Sequence, residues 1–128
     1  MKFISVFEQV TQANAKDALK DNERLIFIVE ENQIGKAIGK GGINIRKLEA
    51  KFNRKIKIVE FNPDVLQFIK NLVYPLKLKD IKEDNGVITL FGPDAKTRGQ
   101  LIGRERQNLR QILQIVKRYF VIENIRVV

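Results

Sequence analysis

The sequence predicts an α+β fold built from two copies of one small module. Three observations carry that expectation. The 128 residues repeat on themselves at an offset of 64, half the chain. Within each half, helical and strand periodicities follow one another in the same order. A basic, glycine-rich turn or its counterpart stands at one place in that order, between two short helices.

At this offset Ala37-Ile38-Gly39-Lys40-Gly41-Gly42-Ile43-Asn44-Ile45-Arg46 lies over Leu101-Ile102-Gly103-Arg104-Glu105-Arg106-Gln107-Asn108-Leu109-Arg110. Ile, Gly, Asn and Arg are identical in place. Lys40 and Arg104 keep the charge, and Ile45 and Leu109 keep the apolar character. Further on, Leu48 lies over Ile112, Phe52 over Val116, Ile56 over Phe120 and Ile58 over Ile122. An apolar pattern held in register over that length is the mark of an internal repeat. The junction falls near Glu60 to Pro63, which predicts modules over residues 1–61 and 62–128.

The elements of the first copy follow from periodicity. Phe3, Val6, Phe7 and Val10 share one helical face. Ala15 to Lys20 is weakly strand-like, Asp21-Asn22-Glu23 is turn-prone, and the β-branched and aromatic run Arg24 to Val29 is a buried strand. Gln33 to Ile38 reads as a short helix broken by Gly39, Gly41 and Gly42. Ile45, Leu48 and Phe52 stripe a second helix, and Ile56 to Glu60 closes the sheet. The order is α-β-β-α-α-β.

The second copy repeats it. Asn62-Pro63 reads as an N-cap followed by proline at the first helical position. Val65, Phe68, Ile69 and Leu72 form the apolar face, and Pro75 ends the helix. Leu76 to Lys82 alternates as a half-exposed strand, Asp84-Asn85-Gly86 signals a hairpin, and Val87 to Phe91 is its partner. After Gly92-Pro93, Thr97 to Ile102 forms the short helix. Leu109, Ile112, Leu113 and Val116 stripe the next, and Val121 to Val128 closes the sheet. A module of about 64 residues is marginal alone, so the two are expected to pack in tandem.

Composition narrows the function. There is no cysteine, histidine or tryptophan, which removes disulfides, Cys/His metal sites and histidine-based catalysis. Ser5 is the one serine, and the acids are scattered, so an enzyme is not expected; a carboxylate-dependent nuclease is the weakest reading. The longest apolar run, Leu25 to Val29, falls far short of the roughly 20 residues that span a bilayer. Glu8 interrupts the N-terminal stretch too early for a signal peptide. The expectation is a soluble, cytoplasmic protein with no membrane partner and no cofactor. The net charge of +9 calls for a polyanion, nucleic acid before an acidic membrane surface.

The loop sharpens that expectation. Glycines let a backbone approach a phosphate closely, the helix that begins near Gly42 offers unpaired N–H donors, and Lys40 adds a full charge. Ile38, Ile43 and Ile45 supply apolar surface beside it for unstacked bases. Two other glycine loops fail. A Walker A loop starting at Gly35 needs glycine where Lys40 stands and a hydroxyl after the lysine. A dinucleotide fingerprint needs glycine where Asn44 stands, and a strand before the loop.

Ile38-Gly39-Lys40-Gly41-Gly42-Ile43-Asn44-Ile45 resembles the Ile-Gly-X-X-Gly-X-X-Ile signature of KH domains, and the element order resembles their type II arrangement. The tandem pair, with Phe68-Ile69-Lys70-Asn71-Leu72 before the second hairpin, is similar to the KH pair of NusA transcription factors, in the short archaeal form. The resemblance implies single-stranded RNA as partner, RNA polymerase as a further one, and a role in transcription elongation, termination or antitermination. It implies a site at Ile38, Gly39, Lys40, Gly41, Gly42, Ile43, Asn44 and Arg46, continued at Gly103, Arg104, Arg106, Asn108 and Arg110.

The second loop departs from the signature. Arg106 stands in place of the last glycine and Glu105 precedes it, so a side chain restricts the backbone and a carboxylate repels phosphate. Arg104 and Arg106 pull the other way. Two roles each fit the recurrent polar residues: Asn44 and Asn108 cap the helices after the loops or reach a base edge, and Arg46 and Arg110 touch phosphate or form surface ion pairs. Lys51, Arg54, Lys55 and Lys57 form a basic cluster that is either a solvated face or a nucleic-acid contact. Phe61, Tyr74 and Tyr119 read as core aromatics. The alternative function is an RNA-processing or ribosome-assembly adaptor of the KH type, and a scaffold that binds only protein predicts no salt-dependent RNA affinity.

Overall fold

The computed structural model describes residues 2–21 and 24–128; Asn22 and Glu23, part of the expected first turn, lie outside the described residues. The chain divides into two units, Met1–Asn62 and Pro63–Val128. The first runs α1 (Phe3–Thr11), β1 (Ala15–Lys20), β2 (Arg24–Val29), α2 (Ile34–Ile38), a 3₁₀ turn (Lys40–Gly42), α3 (Ile43–Phe52) and β3 (Lys55–Glu60). The second runs α4 (Val65–Val73), β4 (Asp80–Asp84), β5 (Val87–Phe91), α5 (Ala95–Ile102), a 3₁₀ turn (Arg104–Arg106), α6 (Gln107–Lys117) and β6 (Asn124–Val127). Each unit therefore has the α-β-β-α-α-β order.

Each unit also has one mixed three-stranded sheet, ordered β1-β2-β3 and β4-β5-β6. The first pair is antiparallel and the second parallel in both. A parallel neighbour requires a crossover, and the two helices with the glycine turn between them are that crossover. Topology thus places the turn at one end of each unit.

The central strand β2 explains the first core. Leu25, Phe27 and Val29 face α1, α2 and α3, where they meet buried Phe7, Ala37 and Leu48. Phe7 stacks on Phe27 with centroids 4.3 Å apart, and Phe3 meets Phe52 edge-on at 5.4 Å. The alternate residues Ile26 and Ile28 are buried as well. Burying one such side chain contributes about 1.5–3 kcal/mol. Helix α1 ends at Thr11, whose hydroxyl donates to the Phe7 carbonyl (2.8 Å) and accepts from the Ala13 amide (3.0 Å).

In the second unit Ile88 and Leu90 of β5 are buried, as are Phe68, Ile69 and Leu72 of α4 and Leu109, Ile112, Ile115 and Val116 of α6. Asn85 and Gly86 both take positive φ, 51° and 82°. They form the two-residue turn that suits a hairpin, and Asp84 pairs with Val87 across it.

Four expectations need correction. The N-cap of α4 is Asp64, whose carboxylate accepts from the Leu66 amide at 3.1 Å; Asn62-Pro63 lies before it. Strand β4 is Asp80–Asp84, not Leu76 to Lys82, because pairing is counted back from the Asn85-Gly86 turn. Strand β6 is confined to Asn124–Val127. Tyr74 is 70% exposed and not a core aromatic, whereas Tyr119 packs edge-on against Phe68 at 5.7 Å. No helix among the described residues is long and apolar enough to cross a membrane.

Candidate nucleic-acid interface

Buried anchors on either side hold each turn in place. Ala37 and Leu48, fully buried, fix α2 and α3 to the first core, and Leu101 with Leu109 does the same for α5 and α6. The turn itself faces outward. Lys40, Gly41, Ile43 and Arg46 are exposed, while Ile38, Gly39, Gly42, Asn44 and Ile45 are half-buried. In the second unit Arg104, Glu105, Arg106 and Arg110 are exposed, with Gly103 and Asn108 half-buried.

The two turns share one backbone. Gly39, Gly41 and Gly42 have φ/ψ of 77°/166°, 63°/21° and 76°/19°. Gly103, Glu105 and Arg106 have 74°/173°, 55°/31° and 62°/18°. The lost glycines have not changed the path of the chain. Holding Glu105 and Arg106 in the left-handed region costs roughly 1–2 kcal/mol each.

The three positions differ in what they demand. Gly39 and Gly103 occupy a region of φ/ψ that is essentially reserved for glycine. A Cβ on Gly39 would come within 2.9 Å of the Asn44 side chain, and one on Gly103 within 2.7 Å of Asn108 Cβ and 3.0 Å of its backbone nitrogen. A Cβ on Gly41 meets nothing within 4 Å, and one on Gly42 only Arg46 Nη1 at 3.5 Å. Steric room therefore explains why the first glycine recurs and the others do not.

The recurrent Asn and Arg serve the turn itself. Asn44 Nδ2 donates to the Lys36 carbonyl at 3.0 Å, and Asn108 Nδ2 to the carbonyls of Gln100 (3.0 Å) and Leu101 (3.1 Å). Each thus satisfies the end of the helix before the turn. Arg46 Nη1 donates to the Gly41 carbonyl at 2.6 Å, and Arg110 Nη2 to the Glu105 carbonyl at 2.7 Å. Neither role was legible in the sequence, which shows recurrence but not the partner; a side chain bonded to a carbonyl five to eight residues back leaves no periodic trace. Inside the turn the Gly42 amide donates to the Gly39 carbonyl (3.1 Å), and the Arg106 amide to that of Gly103 (3.2 Å). Among the described residues, the amides of Lys40 and Gly41 have no acceptor within the chain.

The basic cluster separates into two groups. Lys51 of α3 and Lys55 of β3 are exposed, and Arg54 between them is half-buried. Lys57 pairs with Ile26 in the sheet and is half-buried. Burial lowers its ammonium from the usual 10.5 to about 8, with the Arg24 charge adding to the shift and Asp21 opposing it. No group of three or more acids that could hold a metal ion occurs among the described residues.

The model of the KH domain matches residues 3–85, through the first unit and into the hairpin of the second, so the chain belongs to the KH-domain family. Within it, the chain groups with archaeal NusA proteins. It is 38% identical to the "Probable transcription termination protein NusA" of Methanococcus vannielii, over 98% of this chain and 74% of that protein. The protein of the same description from Methanocaldococcus jannaschii is 34% identical, over 98% and 70%. One solved structure, "Crystal structure of APE1850", superposes with a TM-score of 0.76 at 29% identity, over 99% of this chain and 96% of that one.

Proposed function

We propose that the chain is a tandem pair of type II KH modules that binds single-stranded RNA in transcription termination or antitermination. One observation carries the reading. Gly39 to Gly42 form a bend, exposed at Lys40 and Gly41, in which the amides of those two residues lack an internal acceptor, at the head of the ten-residue helix α3. Such a bend takes a phosphate of the RNA backbone on its N–H groups, with the Lys40 ammonium as counter-charge. Ile38, Ile43 and Ile45 line the adjacent surface for unstacked bases, Asn44 and Arg46 shape the bend, and in the second unit Gly103, Arg104 and Arg106 offer a counterpart contact on a bend that Asn108 and Arg110 shape. The archaeal relatives described as termination proteins support the setting.

The test replaces Lys40 and Gly41 with aspartates, which puts two carboxylates where phosphate is to sit. Binding of a single-stranded oligoribonucleotide is measured against salt, with circular dichroism to check folding. A loss of at least a hundred-fold is expected in a folded variant. Unchanged affinity ends the proposal. Co-purification with RNA polymerase rather than with ribosomal particles separates the transcription role from an assembly adaptor.

A further inference from the structure

The repeat supplies an internal control that separates the two services a glycine can render: backbone freedom and lack of bulk. In the second unit two of three glycines are gone, yet the turn keeps its φ/ψ values. Glycine therefore does not set the shape at those positions. What the two turns share, besides the first glycine, is the pair Asn44 and Arg46, repeated as Asn108 and Arg110, with matching bonds at matching lengths.

We infer that this Asn-X-Arg pair is the positioning element of the phosphate-binding loop. Asn44 ties the end of α2 to the start of α3. Arg46 grips the Gly41 carbonyl at 2.6 Å while the amide of the same peptide group, that of Gly42, donates to the Gly39 carbonyl, so this peptide plane is held from both ends. Arg46 is thus a positioning residue whose guanidinium acts through the loop. Gly41 and Gly42 are left with one service, keeping the approach clear of side chains. The second loop has lost that service alone. The inference rests on the RNA-binding reading above, but its first readout needs no RNA.

The experiment uses the whole chain with Arg46→Met, Arg46→Lys and, in the other unit, Arg110→Met. Amide hydrogen exchange is followed by NMR at Gly42 and Arg106, the two amides bonded inside the turns. Arg46→Met is expected to speed exchange at Gly42 several-fold in the RNA-free protein and to weaken RNA binding roughly ten-fold, the size of a lost charge-assisted hydrogen bond. Arg110→Met is expected to speed exchange at Arg106 by more, because Glu105 and Arg106 resist the left-handed region and glycine does not. Arg46→Lys, with a single point of donation, is expected to restore the exchange rate and the affinity together, in whatever degree. Unchanged exchange in RNA-free Arg46→Met overturns the inference. So does a lysine variant that regains affinity while Gly42 still exchanges fast, since charge alone is then what RNA reads. If the unaltered protein binds no RNA, the functional reading fails, and the exchange rates still judge the frame.

Discussion

Gly39 and Gly41 share a name and differ in what they do for the chain. The first sits where a Cβ would collide with Asn44 and where the backbone admits little but glycine; the second has open space around it. Replacing Gly39 or Gly103 by alanine is expected to lower stability by about 2–4 kcal/mol, while Gly41→Ala costs roughly 1 kcal/mol. Urea midpoints at constant m-value check both. Lys57 offers a different test. Its folded value near 8 lies below the 10.5 of an ordinary lysine, so the unfolded chain holds this proton more tightly. Between pH 8 and 10.5 the unfolded state binds more protons, and this group makes stability rise with pH. Below pH 8 both states are protonated and the full penalty applies, about 2 kcal/mol once screening at a half-buried site is allowed for. Lys57→Met should therefore raise stability at pH 7, and its advantage over the unaltered protein should shrink towards pH 10.5.

Among the elements, α3 and α6 are counterparts with different outer faces. Helix α3 exposes Arg46, Lys47 and Lys51, and the 64-residue offset puts Gln111 and buried Ile115 opposite the two lysines. The basic stripe accompanies the loop that keeps its glycines. Lys47→Gln with Lys51→Gln is expected to leave folding intact and to flatten the slope of log affinity against log salt by about 1.4, the share of two single-strand phosphate contacts. A titration with a twelve-nucleotide RNA at several salt concentrations reads it. Much of this level was legible in the sequence. Strands β1 and β2 match their expected bounds, since a dense β-branched run and its weaker neighbour leave few other solutions. The helices α1, α3, α4 and α6 followed from their apolar stripes. Strand β4 did not, because Leu76 and Leu78 alternate with lysines as a strand would, whereas the hairpin turn fixes which five residues pair. The cap of α4 was misplaced because Asn62-Pro63 imitates the start of a helix two residues early. The candidate loop was legible as chemistry, but the shape kept by Glu105 and Arg106 was not, because it depends on bonds from α6.

On the scale of the molecule, the two units repeat a strand order, a crossover and a turn, with one turn open and the other carrying side chains. If each module takes about four nucleotides, affinity should climb with oligonucleotide length and level off near eight, the second contact being helped by its tether to the first. Calorimetry with four-, eight- and twelve-nucleotide RNAs checks the plateau; a curve flat beyond four would confine binding to one unit. The interior of β2 has a consequence of its own. Leu25 to Val29 is buried on both sides and paired along both edges, an uncharged, β-prone segment of the sort that nucleates fibrils once released. Arg24 and Glu30 stand at its ends as gatekeepers. A lesion that opens the first unit therefore threatens solubility as well as recognition, and precipitation on warming is the symptom by which such a lesion will announce itself.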